Sequence, residues 1–134
     1  MEQIVLSHTT LGVSDVRAAR CFYDPIMDAL GLTLKLSDER WAVWKHPEAE
    51  RPLFIISRPF NGGPASTGNG QMIALLAASR SLVDECYSLA LKNGGTGEGE
   101  PGLRPQYHAN YYGAYFRDSD GNKLCGLYRM PAAA

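Results

Sequence analysis

The chain has no surplus of charge of either sign: 13 Lys and Arg stand against 14 Asp and Glu in 134 residues. Electrostatic capture of a nucleic acid or of an anionic membrane therefore has no support, since both need a basic excess. Long hydrophobic runs are also missing. The longest are strand-sized, far short of the ~20 apolar residues that span a bilayer. The start, MEQIVLS, lacks the charged-then-apolar order of a secretion signal, so the sequence-based expectation is a cytoplasmic protein. Cysteine is scarce. Cys21, Cys86 and Cys125 are odd in number and show no CxxC spacing, which argues against a disulfide framework and a zinc knuckle; two of them read as buried thiols. Phosphate loops are missing too, because neither GEGEP nor GNG follows a strand and opens a helix.

What is present is an ordinary globular composition, 45% hydrophobic and 20% charged, in a chain sized for one domain. Residues Ile4 to Val13 alternate in strand fashion, with Val5, Leu11 and Val13 on one face and Leu6, His8 and Thr10 on the other. Ser14 or Asp15 then caps a helix whose apolar positions are Val16, Ala19, Tyr23, Ile26, Met27 and Leu30, ended by Gly31. Pro25 removes an N–H and crowds the carbonyl of Cys21, so a kink or break is expected there. Strands follow at 32 to 36, 40 to 45 and 53 to 57. Trp41 and Trp44 are an odd number of residues apart, so only one of them can line a pocket.

The Gly- and Asn-rich segment 61 to 70 reads as a boundary between two modules, about 1–60 and 70–131, of a single domain spanning 1–134. Beyond it a strand at 71 to 77 leads into a Ser79-capped helix with apolar Leu82, Val83, Cys86, Leu89 and Ala90, closed by Gly94 and Gly95. The stretch TGEGEPGLRPQYHAN reads as irregular. Strands YYGAYFRD and KLCGLYR then flank a turn in which Asp120-Gly121 is a hairpin signal, and the tail MPAAA is expected to fray. A shift of 64 residues superposes His8 on Met72, Leu11 on Leu75, Asp15 on Ser79, Tyr23 on Tyr87 and Gly31 on Gly95. The shared order of elements supports an internal repeat more than these few matches do.

With those residues in view, HTTLGVSDVRAARCFYDPIMDALGL resembles the opening signature of the vicinal oxygen chelate superfamily, and YYGAYFRDSDGNKLCGLYR its closing signature. That superfamily contains glyoxalase I, fosfomycin-resistance proteins, bleomycin-binding proteins and extradiol dioxygenases. The segments GNGQMIALLAASRSLVDECYSLALKNGG and GLRPQYHANYYGAYF are similar to a subgroup of small glyoxalase-like bacterial proteins. The resemblance implies an α+β fold of two βαβββ modules, a concave mixed-sheet cavity with helices outside, and a homodimer.

In metal-dependent relatives one ligand comes from the first strand, one from its counterpart in the second module, and a carboxylate from the last strand. Those positions here are His8, Met72 and Cys125, where relatives commonly carry His, His and Glu. Only His8 matches, and a thioether and a thiol do not replace the nitrogen and oxygen donors that Fe(II), Mn(II), Ni(II) or Zn(II) prefer. No cofactor is expected; a divalent metal is the alternative.

Met72 then reads as pocket lining and Cys125 as a quiet thiol facing the same pocket. His8 reads as a cavity-face residue, with acid–base work or metal ligation as alternatives. The loop residues His108, Asn110 and Tyr111 resemble a His-Pro-Asn-Tyr-Tyr run of the subgroup in which Ala109 replaces the proline. They are candidates either for tying the loop to the sheet or for touching a ligand, with His8 and His108 the candidate catalytic bases. Arg58 and Arg104 are available to hold an anion. Three functions remain open: a divergent metal-dependent lyase or dioxygenase, a metal-free small-molecule or drug-sequestering binder, and a metal-free enzyme using a histidine base. All three take a small-molecule partner, and none implies nucleic acid or membrane.

Overall fold

A computed structural model describes residues 5–129. The expectations for Ile4 and for the tail MPAAA lie outside the described residues. The first module comprises β1 (His8–Gly12), α1 (Val16–Ala29), β2 (Thr33–Ser37), β3 (Trp41–Lys45) and β4 (Leu53–Ser57). The second comprises β5 (Ile73–Leu76), α2 (Arg80–Lys92), β6 (Thr96–Leu103), β7 (Tyr111–Arg117) and β8 (Lys123–Arg129). Each forms its own four-stranded mixed sheet, in the orders β1-β4-β3-β2 and β5-β8-β7-β6. In each, the first strand pairs in parallel with the last and the other pairings are antiparallel. The fold is α+β, two βαβββ modules.

The repeat reads as symmetric capping. Asp15 Oδ1 accepts from the Ala18 N–H at 3.0 Å and Ser79 Oγ from the Leu82 N–H at 3.2 Å, each satisfying a donor of the first turn. At the other helix ends the left-handed residues are Gly31 (φ 79°) and Gly94 (φ 96°), one position off the expected Gly31–Gly95 match.

Helix α1 runs through Pro25 without a break, so of the expected kink or break the break does not occur. Proline costs it one hydrogen bond, but Phe22, Tyr23, Ile26 and Met27 on both sides of Pro25 are all buried in one core, which holds the last turn in register. Phe22 was not among the expected apolar positions; α1 buries a wider stripe because α2 packs beside it.

Strand β1 begins only at His8, so Val5 lies outside it and is exposed. The other correction is β6: TGEGEPGL is a strand, not an irregular segment. It is an edge strand, bonded only to β7 and bulged between Gly97 and Gly99 and between Gly99 and Gly102, which is where Pro and Gly are tolerated. Its glycines make room. A Cβ at Gly97 would stand 2.3 Å from the hydroxyl of Tyr87 on α2, and one at Gly99 would stand 3.1 Å from the Tyr115 ring.

The helices cover one face of the sheets. Leu11, Ile73 and Leu75 pack with α1, α2, Trp44, Phe54 and Phe116 in a core shared by both modules. The strand period of two sends alternate residues to the opposite, open face. Trp44 is 2% exposed and Trp41 42%, so only Trp41 belongs to the open face.

The modules are also tied at the β7–β8 turn. Buried Asp118 accepts from the Tyr23 hydroxyl at 2.6 Å and from Asn122 Nδ2 at 2.9 Å, and Asn122 Nδ2 reaches the Gly12 carbonyl at 2.8 Å.

Candidate functional site

Strand pairing brings Cys125 to the middle of the second sheet. It sits opposite Ala74 of β5 and Tyr115 of β7, so these three share the open face, while Leu124 faces the helices. Tyr111 and Gly113, at two-residue intervals before Tyr115, share that face as well. The Tyr111 hydroxyl is 3.0 Å from that of Tyr115 and 3.7 Å from Cys125 Sγ, and Cys125 Sγ is 3.6 Å from the Gly126 carbonyl. Glycine at 113 leaves the space that Tyr111 and the thiol occupy: a Cβ there would lie 3.0 Å from the ring and 3.7 Å from Sγ. Arg104 and Lys123 place their charges 5.4 and 5.6 Å from the centre of the Tyr115 ring.

Burial sets the protonation of this cluster. It is the first cause raising the pKa of Tyr111, followed by the Tyr115 hydroxyl and Cys125, and the first cause for Tyr115. Cys125 is also raised by burial, although the two tyrosine hydroxyls and Arg104 pull the other way. All three are neutral near pH 7, so the cluster offers O–H and S–H donors and no thiolate nucleophile.

The loop before β7 is tied mostly to itself. His108 Nδ1 accepts from the Asn110 N–H at 3.0 Å, Tyr111 N–H donates to the His108 carbonyl at 3.1 Å, and Arg104 N–H donates to the Tyr111 carbonyl at 2.8 Å. The first bond leaves the ring proton on Nε2. Asn110 thus contributes its backbone, and the Tyr107 ring packs 5.1 Å from that of Tyr111.

His8 is exposed at the start of β1, with Ser7 Oγ 3.0 Å from its Nδ1. Met72 precedes β5 and lines a cavity of about 170 Å³ with Thr10, Gln71 and Lys123. Cys125 and Tyr111 are therefore brought together, His108 and Asn110 form the adjoining loop, Met72 lies two positions before Ala74 on the same side of the second sheet, and His8 lies at the start of β1 in the first. Tyr115 and Lys123 were missed by the sequence reading. The signal was available, since 111 to 115 and 123 to 125 are even intervals on strands already identified. Arg58 lines a different surface pocket beside Asp15 and Arg17.

A second, more apolar cavity of about 300 Å³ opens at the seam of the sheets, between Thr9, Trp44, Phe54 and Leu75. Its ionisable lining groups are Lys45 and His46, and it includes none of the candidate residues. It is room for an apolar group, without convergent polar chemistry.

The family metal is tested by its donors. At the three positions the chain offers an imidazole, a thioether and a thiol already bonded to Tyr111, and among the described residues no three His, Cys, Asp or Glu side chains group to hold an ion. The set does not fit a two-histidine, one-carboxylate ion.

Residues 5–125 match the profile of the Glyoxalase/Bleomycin resistance protein/Dioxygenase superfamily, and the chain belongs to that family. A glyoxalase/bleomycin resistance protein from Albidiferax ferrireducens T118 is 34% identical over 95% of this chain and 100% of its own, with a TM-score of 0.82. A glyoxalase-related enzyme from Fulvimarina pelagi shares the fold at 17% identity, covering 100% of this chain and 94% of that one, TM-score 0.71. Lactoylglutathione lyase from Agrobacterium tumefaciens shares it at 21% identity, covering 96% of each chain, TM-score 0.61. No protein of curated function matches the chain in sequence.

Proposed function

We propose that this chain is a small-molecule-binding member of its family whose open face works without the usual divalent metal. The observation that carries the reading is the fate of the third ligand position. Where a carboxylate would stand, Cys125 is a buried, neutral thiol engaged by the Tyr111 hydroxyl at 3.7 Å. A hard or borderline ion needs roughly three nitrogen or oxygen donors in fixed geometry, and this wall provides hydrogen-bond donors and aromatic surface instead. Tyr111, Tyr115 and Cys125 form its centre, with the His108–Asn110 loop as a rim and Met72 at the seam. His108, with one ring nitrogen held by the loop, keeps Nε2–H as a ligand contact.

Elemental analysis of protein purified without added metal or affinity histidines tests the reading. Less than about a tenth of an equivalent of Mn, Fe, Ni or Zn is expected, with binding of an aromatic probe unaffected by chelator. Stoichiometric metal that chelator removes together with activity or binding would overturn it in favour of a metal-dependent lyase or dioxygenase.

A further inference from the structure

The proposed reading leaves two cations unexplained. Arg104 and Lys123 are gathered on the single ring of Tyr115, and among the described residues neither has a carboxylate within 4.0 Å. The neighbouring Arg117, by contrast, is engaged by Glu98 and by the Gly121 carbonyl at 2.7 Å. Arg104 is held in place rather than free. Its Nη2 donates to the Glu100 carbonyl at 2.7 Å, and the guanidinium lies over Gly99 and Gly102, where a Cβ would come within 3.3 and 3.1 Å of it. Two cations at 5.4 and 5.6 Å from one ring centre give this part of the open face a positive potential, which favours an anion.

Lys123 also belongs to the cavity of about 170 Å³ whose wall includes Thr10, Gln71 and Met72. A cavity of roughly 150 Å³ suffices for a benzene-sized ring. A thioether packs well at a ring edge, and Thr10 and Gln71 supply hydrogen-bonding groups beside it. We infer that this cavity, with Lys123 at its wall and Arg104 outside it as a further charge at the same Tyr115 ring, binds a small planar carboxylate, an aromatic acid of one ring. The inference rests on the reading of the open face as a small-molecule site and narrows it to a ligand class.

Calorimetric titration with benzoate and with benzamide, its uncharged counterpart, tests it. Benzoate is expected to bind about tenfold or more tightly than benzamide, as a charge-assisted contact requires. The preference is expected to shrink between 50 and 500 mM salt in the unmodified protein, at roughly the rate set by screening of half-exposed charges. Lys123→Gln is expected to bring benzoate down to the benzamide level while leaving benzamide unchanged, and Lys123→Arg to keep the preference. Equal binding of the two probes, binding of neither, or a preference that survives Lys123→Gln overturns the inference. The broader reading would then still stand or fall by metal analysis alone.

Discussion

Cys125 and Cys86 are buried thiols and Cys21 is exposed, which separates them chemically. Burial pushes the Cys86 thiol up to about 11, with Glu85 adding to the shift, and raises Cys125 as well. At pH 7.5 iodoacetamide is therefore expected to label Cys21 alone in the folded protein and all three after denaturation; mass spectrometry showing prompt labelling of Cys125 would mean a thiolate that this environment does not support. The same shift makes stability depend on pH. The folded Cys86 holds its proton more tightly than an unfolded thiol, so its contribution is whole below about pH 8.5 and is lost as pH rises toward about 11. Thermal unfolding across pH 8 to 10 is expected to decline more steeply in the unmodified protein than in Cys86→Ala, and parallel slopes would refute the assignment.

At the scale of elements, the β7–β8 turn carries most of the polar joinery. Asp118 Oδ1 accepts from the N–H groups of Asp120 and Asn122 at 3.0 and 2.8 Å, while Oδ2 takes the Tyr23 hydroxyl and Asn122 Nδ2. Asp118→Ala strands several buried donors at once and is expected to cost about 3 kcal/mol in urea unfolding, against about 1 kcal/mol for Tyr23→Phe, which leaves the carboxylate its other donors. Two glycines after α2 behave differently. Gly95 has no room, since a Cβ would stand 2.6 Å from the Arg117 carbonyl and 2.7 Å from that of Ala90, so Gly95→Ala is expected to cost about 2 to 4 kcal/mol. Gly94 has open space but φ of 96°, so Gly94→Ala should cost only about 1 kcal/mol. Equal costs at the two positions would contradict this.

The caps, both helices and seven of the eight strands were legible because each followed a local rule of period or turn chemistry. Strand β6 was not. Its Gly and Pro content serves Tyr87, Tyr115 and Arg104, which are partners distant in sequence, and an edge position relaxes the need for strand formers. The continuity of α1 through Pro25 was hidden for a similar reason, because tertiary burial on both sides outweighed the local penalty.

For the whole molecule, the open face remains rich in apolar surface. Leu76 is 74% exposed and Met72 and Trp41 42% each, on a face without helices. A homodimer that covers part of this face is the expected state. Light scattering at micromolar concentration is predicted to give a dimer, and Leu76→Glu to shift it toward monomer; a monomer in the unmodified protein would contradict the expectation. Among the described residues no helix is long and apolar enough to cross a membrane.

The candidate site was legible only in part at this scale. The resemblance to the family singled out Cys125 and Tyr111, but whether His8 stands beside them depends on how two edge strands, β1 and β5, meet, which no periodicity encodes. The claim that the open face works without the family metal is tested most directly by titrating Ni(II), Mn(II) and Zn(II) into metal-free protein and into His8→Ala. The expected result is binding no tighter than about millimolar and little changed by the substitution, as for a single exposed imidazole. Micromolar or tighter binding of Ni(II) or Mn(II) that disappears in His8→Ala would contradict the account.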